Sequence, residues 1–84
     1  MNYQIFIQKS ALKALDRIPT KMRDRISKQI LTLIDNPRPS DCKKLSGREA
    51  WRIRIGDYRV IYEIHDGKLI VLVIVIGHRK EVYR

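Results

Sequence analysis

The second half of this 84-residue chain confines it to very few architectures. Between Trp51 and Ile55 apolar residues alternate with Arg52 and Arg54, and Tyr58, Val60, Tyr62 and Ile64 then alternate with Arg59, Ile61 and Glu63. A period of two is that of a strand whose successive side chains point to opposite faces. Residues 69–76 are eight apolar residues in a row, as in a strand buried on both faces. Gly56-Asp57 and Asp66-Gly67 separate the three segments with residue pairs that two-residue hairpins prefer. Three strands joined so tightly form an antiparallel meander, with the last of them central.

One face of such a sheet must be covered, and the first half of the chain supplies the cover. Residues 3–8 alternate as a first strand. Ser10 is placed to cap a short helix over residues 11–18, with Leu12, Leu15 and Ile18 on one side and Pro19 ending it. Thr20 is placed to cap a second helix over about residues 21–35, where Met22, Ile26, Ile30, Leu33 and Ile34 keep helical spacing. Residues 36–40 hold two prolines and read as a linker, and residues 43–48 as a basic loop. The expected fold is α+β: an N-terminal strand, a helical hairpin, then an antiparallel β-meander packed on the helices, in a single domain over residues 1–84.

A core this small has no staple to help it. Cys42 is the sole cysteine, and no Cys/His set has zinc-site spacing, so no metal or other cofactor is expected. The longest apolar run falls well short of the ~20 residues of a membrane helix. The chain opens on alternation instead of a basic start followed by an apolar block, so a cytoplasmic protein without membrane contact is expected.

Eighteen Lys and Arg against nine Asp and Glu leave a formal charge of +9, which favours a polyanionic partner. Two-residue loops place Arg54 opposite Arg59, Arg59 opposite Ile74, and Arg52 opposite Ile61. The other face then carries Trp51, Ile53, Ile55, Tyr58, Val60, Tyr62, Val71, Val73 and Val75 toward the helices. Like charges directly opposite one another destabilise a sheet. Arginine can serve as soluble filler screened by Asp57 or Glu63, but a filler face mixes signs, whereas a phosphate-binding face does not. His78, Arg79, Lys80 and Tyr83 follow the last strand at the same end. His78 reads equally as a turn histidine, and Tyr83 also as a tail aromatic packed on the core.

The segments Leu45-Ser-Gly-Arg48, Trp51-Arg-Ile-Arg-Ile-Gly-Asp-Tyr-Arg-Val-Ile-Tyr62 and Ile76-Gly-His-Arg-Lys-Glu-Val-Tyr83 resemble the RelE/ParE superfamily of type II toxin–antitoxin toxins, in its RelE-like branch. The resemblance spans nearly the whole chain and implies the RelE-like microbial ribonuclease fold. It implies a metal-independent mRNA interferase that cuts translated mRNA in the ribosomal A site. An RNA 2′-hydroxyl attacks the adjacent phosphodiester, leaving a 2′,3′-cyclic phosphate and a free 5′-hydroxyl. Carried over by motif, the catalytic set is Arg52, Arg54, Arg59, Arg79 and Tyr83, with Arg79 as the acid for the leaving oxygen; His78 is a candidate for the same role on the chemistry of imidazole, the side-chain type that exchanges protons near neutral pH. Lys43, Lys44, Arg48, Lys80 and Arg84 are then candidates for RNA and ribosome contacts, with a solvated loop as the plainer reading of 43, 44 and 48.

Arginine stands at 52 and 54 where lysine is usual in the best-known member. A guanidinium stays protonated, so neither residue is suited to act as a base. The implied partners are the ribosome, mRNA and a cognate acidic antitoxin of RelB type, through which the complex can bind its operator DNA. Some relatives carry a terminal helix that the antitoxin displaces; with none after Arg84, simple occlusion is expected. Two other readings stand beside this one: a ParE-like inhibitor of DNA gyrase without ribonuclease activity, and a non-catalytic module whose basic face serves only the antitoxin.

Overall fold

The computed structural model describes residues 2–78. Its strands are β1 (Gln4–Ile7), β2 (Lys43–Lys44), β3 (Trp51–Ile55), β4 (Tyr58–His65) and β5 (Ile70–His78), with helices α1 (Lys9–Asp16) and α2 (Thr20–Thr32) between β1 and β2. They form one sheet in the order β1-β5-β4-β3-β2. The α+β class therefore holds, with a mixed sheet: β1 runs parallel to β5, pairing Gln4 with Ile70 and Ile7 with Val73. Parallel neighbours need a crossover, which here includes both helices. β5 has a strand on each side, which accounts for its unbroken apolar run.

Both helix starts differ from the capping expectation. α1 begins at Lys9 with Gln8 as its cap, and α2 at Thr20 with Pro19 as its cap, neither with a side-chain capping bond. Gln8 still donates its N–H to the Val73 carbonyl, 2.9 Å away, so the strand pairing runs straight into the helix and leaves Ser10 inside it. Pro19 sits at φ −53° and ψ 143°, the extended conformation a cap requires, and Thr20 becomes the first helical residue. α2 ends at Thr32, short of 35, in turns that lead to the buried Pro37. No helix among the described residues is long and apolar enough to cross a membrane.

The helices cover one face. Ala11, Leu15 and Ile18, with Ile26, Ile30 and Leu33, pack on Ile53, Ile55, Val60, Tyr62, Val71, Val73 and Ile76. The first hairpin has the expected register, with Arg54 opposite Arg59 and Arg52 opposite Ile61. The second does not. Asp66–Lys68 form a 3-10 turn followed by Leu69 in the left-handed region at φ 54°, so the loop is longer than the two residues its Asp-Gly pair suggests. Further along, Tyr62 faces Val73 but Ile61 faces Val75, which inserts Ile74 as a β-bulge. Beyond the bulge the alternation reverses: Arg59 faces Gly77 instead of Ile74, and Ile76 takes the buried place expected for Val75.

The proline segment is fastened rather than loose. Arg38 forks onto Asp66 through two hydrogen bonds of 3.2 and 2.8 Å, and its guanidinium lies 5.2 Å from the centre of the Trp51 ring. Tyr3 donates to the same carboxylate at 2.6 Å, and the buried Tyr62 hydroxyl donates to the Pro37 carbonyl at 2.8 Å. Arg38 and Tyr3 together hold the Asp66 carboxyl below its usual range, down to about 2. Because the folded-state value is depressed, the stability from this pin is complete above the ordinary aspartate range and is lost as pH falls toward 2. Asp66→Asn should flatten the acid limb of a plot of urea midpoint against pH between about 4 and 2; an unchanged limb would show that the pin contributes nothing.

Gly56 turns the first hairpin at φ 58°, and a Cβ there would stand 3.1 Å from Met22 Cε. Gly56→Ala should therefore lower stability by about 1–2 kcal/mol in urea titration, the cost of forcing a side chain into the left-handed region.

Candidate phosphate-binding site

The face of the sheet away from the helices collects the arginines. Pairing of β2 with β3 sets Lys43 opposite Arg52, and pairing of β3 with β4 sets Arg54 opposite Arg59. Asp41, Lys43, Arg52 and Arg54 line an open groove of about 320 Å³. Exposure falls steeply across the group: Arg54 is exposed and Arg52 half-buried, while Arg59 is only 4% exposed. A guanidinium so buried is held in place, and it presents donors only. Arg59 is thus a fixed donor beside the reaching Arg54, a pairing suited to a phosphate, which accepts parallel N–H bonds from guanidinium forks.

Three expected placements need correction. The basic loop contains strand β2, because its Lys43 and Lys44 pair with Arg52 and Trp51. That pairing sends the two lysines to opposite faces: Lys43 joins the arginine groove, while Lys44 ion-pairs with Glu49 at 3.3 Å. Arg48 lines a separate hollow of about 380 Å³ with Lys44, Leu45, Gly47 and Glu49. His78 is a strand residue, not a turn histidine. It sits opposite Tyr58, ring to ring at 5.6 Å and 83°, on the helix-side face. Arg79, Lys80, Tyr83 and Arg84 lie outside the described residues.

Asp41 is the lining residue that sequence reasoning missed. It follows the prolines in a stretch without periodicity, and only the turn of the chain into β2 brings it beside Arg52 and Arg54. His65, read as a turn residue, is exposed and contacts Glu63 at 3.0 Å. Among the described residues no three His, Cys, Asp or Glu side chains are grouped as ligands for a metal ion.

The fold and the groove together define a small α+β domain with a cationic groove on the face away from its helices. The profile of the family described as ParE toxin of the type II toxin–antitoxin system, parDE, matches residues 5–83. The mRNA interferase toxin RelE of Escherichia coli (strain K12) is 30% identical over 88 residues, which cover 99% of this chain and 92% of that protein. A chain of the archaeal RelE-RelB complex from Pyrococcus horikoshii OT3 superposes with a TM-score of 0.84 at 30% identity, over 94% of this chain and 97% of that one. The isolated E. coli RelE toxin superposes at 0.81 with 29% identity, over 96% and 90% of the two chains. The protein belongs to the RelE/ParE superfamily of type II toxin–antitoxin toxins, and it is RelE-like.

An arginine directly opposite another arginine costs stability that a bound phosphate would offset. Arg54→Thr should raise the urea midpoint by the equivalent of a few tenths to about 1 kcal/mol. The same variant should bind heparin or RNA more weakly, with a shallower salt dependence. Unchanged stability together with unchanged salt dependence would remove the cost assigned to this pair.

Proposed function

We propose that this toxin is a ribosome-dependent mRNA interferase. Its substrate is translated mRNA in the ribosomal A site, and an acidic antitoxin of RelB type neutralises it. The observation that supports this most directly is the exposed Arg54 set opposite the buried Arg59, beside Arg52 and Lys43. In the proposed reaction the RNA 2′-hydroxyl gives its proton to water as its oxygen bonds to the adjacent phosphorus, the bond from phosphorus to the 5′-oxygen breaks, and that oxygen leaves with a proton. The products are a 2′,3′-cyclic phosphate and a 5′-hydroxyl.

Negative charge grows on the phosphoryl oxygens in the transition state, where Arg54 and Arg59 donate to it; donors aimed at developing charge are worth about 10²–10³ in rate each. Arg79 supplies the leaving proton and Tyr83 stacks on a base in this reading, both by the family's motif. His78 takes no part as acid, because its ring stands with Tyr58 on the other face of the sheet. The named relatives support the antitoxin as partner, since the P. horikoshii structure is a RelE-RelB complex.

Arg54→Ala should fold normally and lose A-site cleavage by about 100-fold in toe-printing of ribosome-bound mRNA. For the buried Arg59 the informative change is to methionine, which preserves the packed volume; the same loss is expected with antitoxin binding retained. A 2′-deoxy nucleotide at the cut position should block cleavage there. Full cleavage by Arg54→Ala, or cutting after the deoxy nucleotide, would overturn the mechanism. The match to the ParE profile makes gyrase the alternative target. Inhibition of gyrase supercoiling by a protein that leaves ribosome-bound mRNA intact would establish it.

A further inference from the structure

A second cleft opens past the end of the sheet near Arg54 and Arg59, on the other face. It lies between the last turn of α1 and the ends of β4 and β5, holds about 220 Å³, and is lined by Ala14, Arg17, Ile18, Tyr58, Ile76, Gly77 and His78. Two features tie it to the groove. Tyr58 adjoins Arg59 in the chain with its side chain on the opposite face, and Gly77, which lines the cleft, is the residue facing Arg59 across the β4–β5 pair. A strand of RNA with one phosphate at Arg54 and Arg59 therefore needs to pass only the end of the sheet to enter.

The lining matches a nucleotide in chemistry and size. Tyr58 and His78, edge to face, form an aromatic wall, and stacking on such rings accepts any base. Arg17, exposed at the C-terminal cap of α1, makes no ion pair among the described residues and stands ready for a phosphate. The cleft is smaller than the roughly 300–1,000 Å³ pockets of drug-sized ligands, and suits one flat base.

Building on the ribonuclease reading, we propose that this cleft is a second nucleotide subsite. Tyr58 and His78 hold the base of the next nucleotide along the strand, one removed from the two joined by the scissile phosphate, and Arg17 binds the phosphate that links it. The subsite lies on the other face from the reacting phosphate, so it sets affinity and the path of the RNA rather than the chemical step.

The test uses the full chain and two oligoribonucleotides, each with a 2′-deoxy sugar at the attacked position to prevent cutting. One ends at the scissile phosphate and its 5′-linked nucleoside, and the other extends by one nucleotide on each side. The extended probe should bind about tenfold tighter in fluorescence anisotropy, the effect of one stacked base that is held in the cleft by the phosphate contact at Arg17. Arg17→Gln should remove that gain while leaving the short probe's affinity unchanged, and only the extended probe should shift the Tyr58 and His78 ring resonances. Equal affinities, or a gain that survives Arg17→Gln, would overturn the subsite and leave the ribonuclease reading standing. Failure of both probes to bind would overturn the subsite, and toe-printing of ribosome-bound mRNA would then decide the ribonuclease reading by itself. Loss of antitoxin affinity in Arg17→Gln, with RNA binding untouched, would assign the cleft to the protein partner instead.

Discussion

Two helices cover one face of the sheet, and the packing beneath them governs what the molecule presents to a partner on the other. Ile53, Ile55, Val60 and Tyr62 must point under α1 and α2 to complete a core of this size, because nothing else in so short a chain can exclude water from them. Alternation then leaves Arg52, Arg54 and Arg59 no choice of side. A shift of one residue would turn Arg52, Arg54 and Arg59 under the helices and the isoleucines of β3 away from them, so the apolar half of each strand secures the placement of the basic half. Cationic residues are thus concentrated on the outer face by packing forces that involve no charge.

The bulge at Ile74 redistributes the far end of β5. Without it, the register set by the turn would carry on unbroken, leaving Ile76 off the core and opposite Arg59. With it, Ile76 is buried and Gly77, which carries no side chain, stands opposite Arg59. The turn at 66–69 contributes to the same outcome, since its added length sets the register with which β5 enters the sheet. Both features belong to tertiary structure. β5 is paired with β1 as well as β4, and its inner residues meet α1, so local turn chemistry is one influence among several.

The cluster of Arg38, Asp66, Tyr3 and Trp51 joins segments far apart in sequence at the end of the sheet away from the arginine pair. It fastens the proline segment that carries the chain from α2 into β2, and β2 in turn brings Lys43 and Asp41 to the groove. An exposed ion pair of this sort adds little stability by itself. Its shared carboxylate nevertheless sets where the segment lies, and with it one wall of the groove.

From residue order alone, both helices, every strand except β2, the α+β class, the first hairpin's register and the outward arginines at 52 and 54 were legible. Periodicity is a strong signal over five to eight residues, and Gly56-Asp57 makes a turn that obeys local rules. The opposition of Arg54 and Arg59 followed from the same two facts. Tertiary structure alone decided the parallel pairing of β1 with β5, the bulge, the burial of Arg59, the entry of Lys43 and Asp41 into the groove, and the removal of His78 to the other face. Each of these depends on contacts between segments distant in sequence. A strand's pattern states which residues share a face, but which residues lie across from them, and how deeply, is settled only when the neighbouring strands and helices compete for the same buried surface.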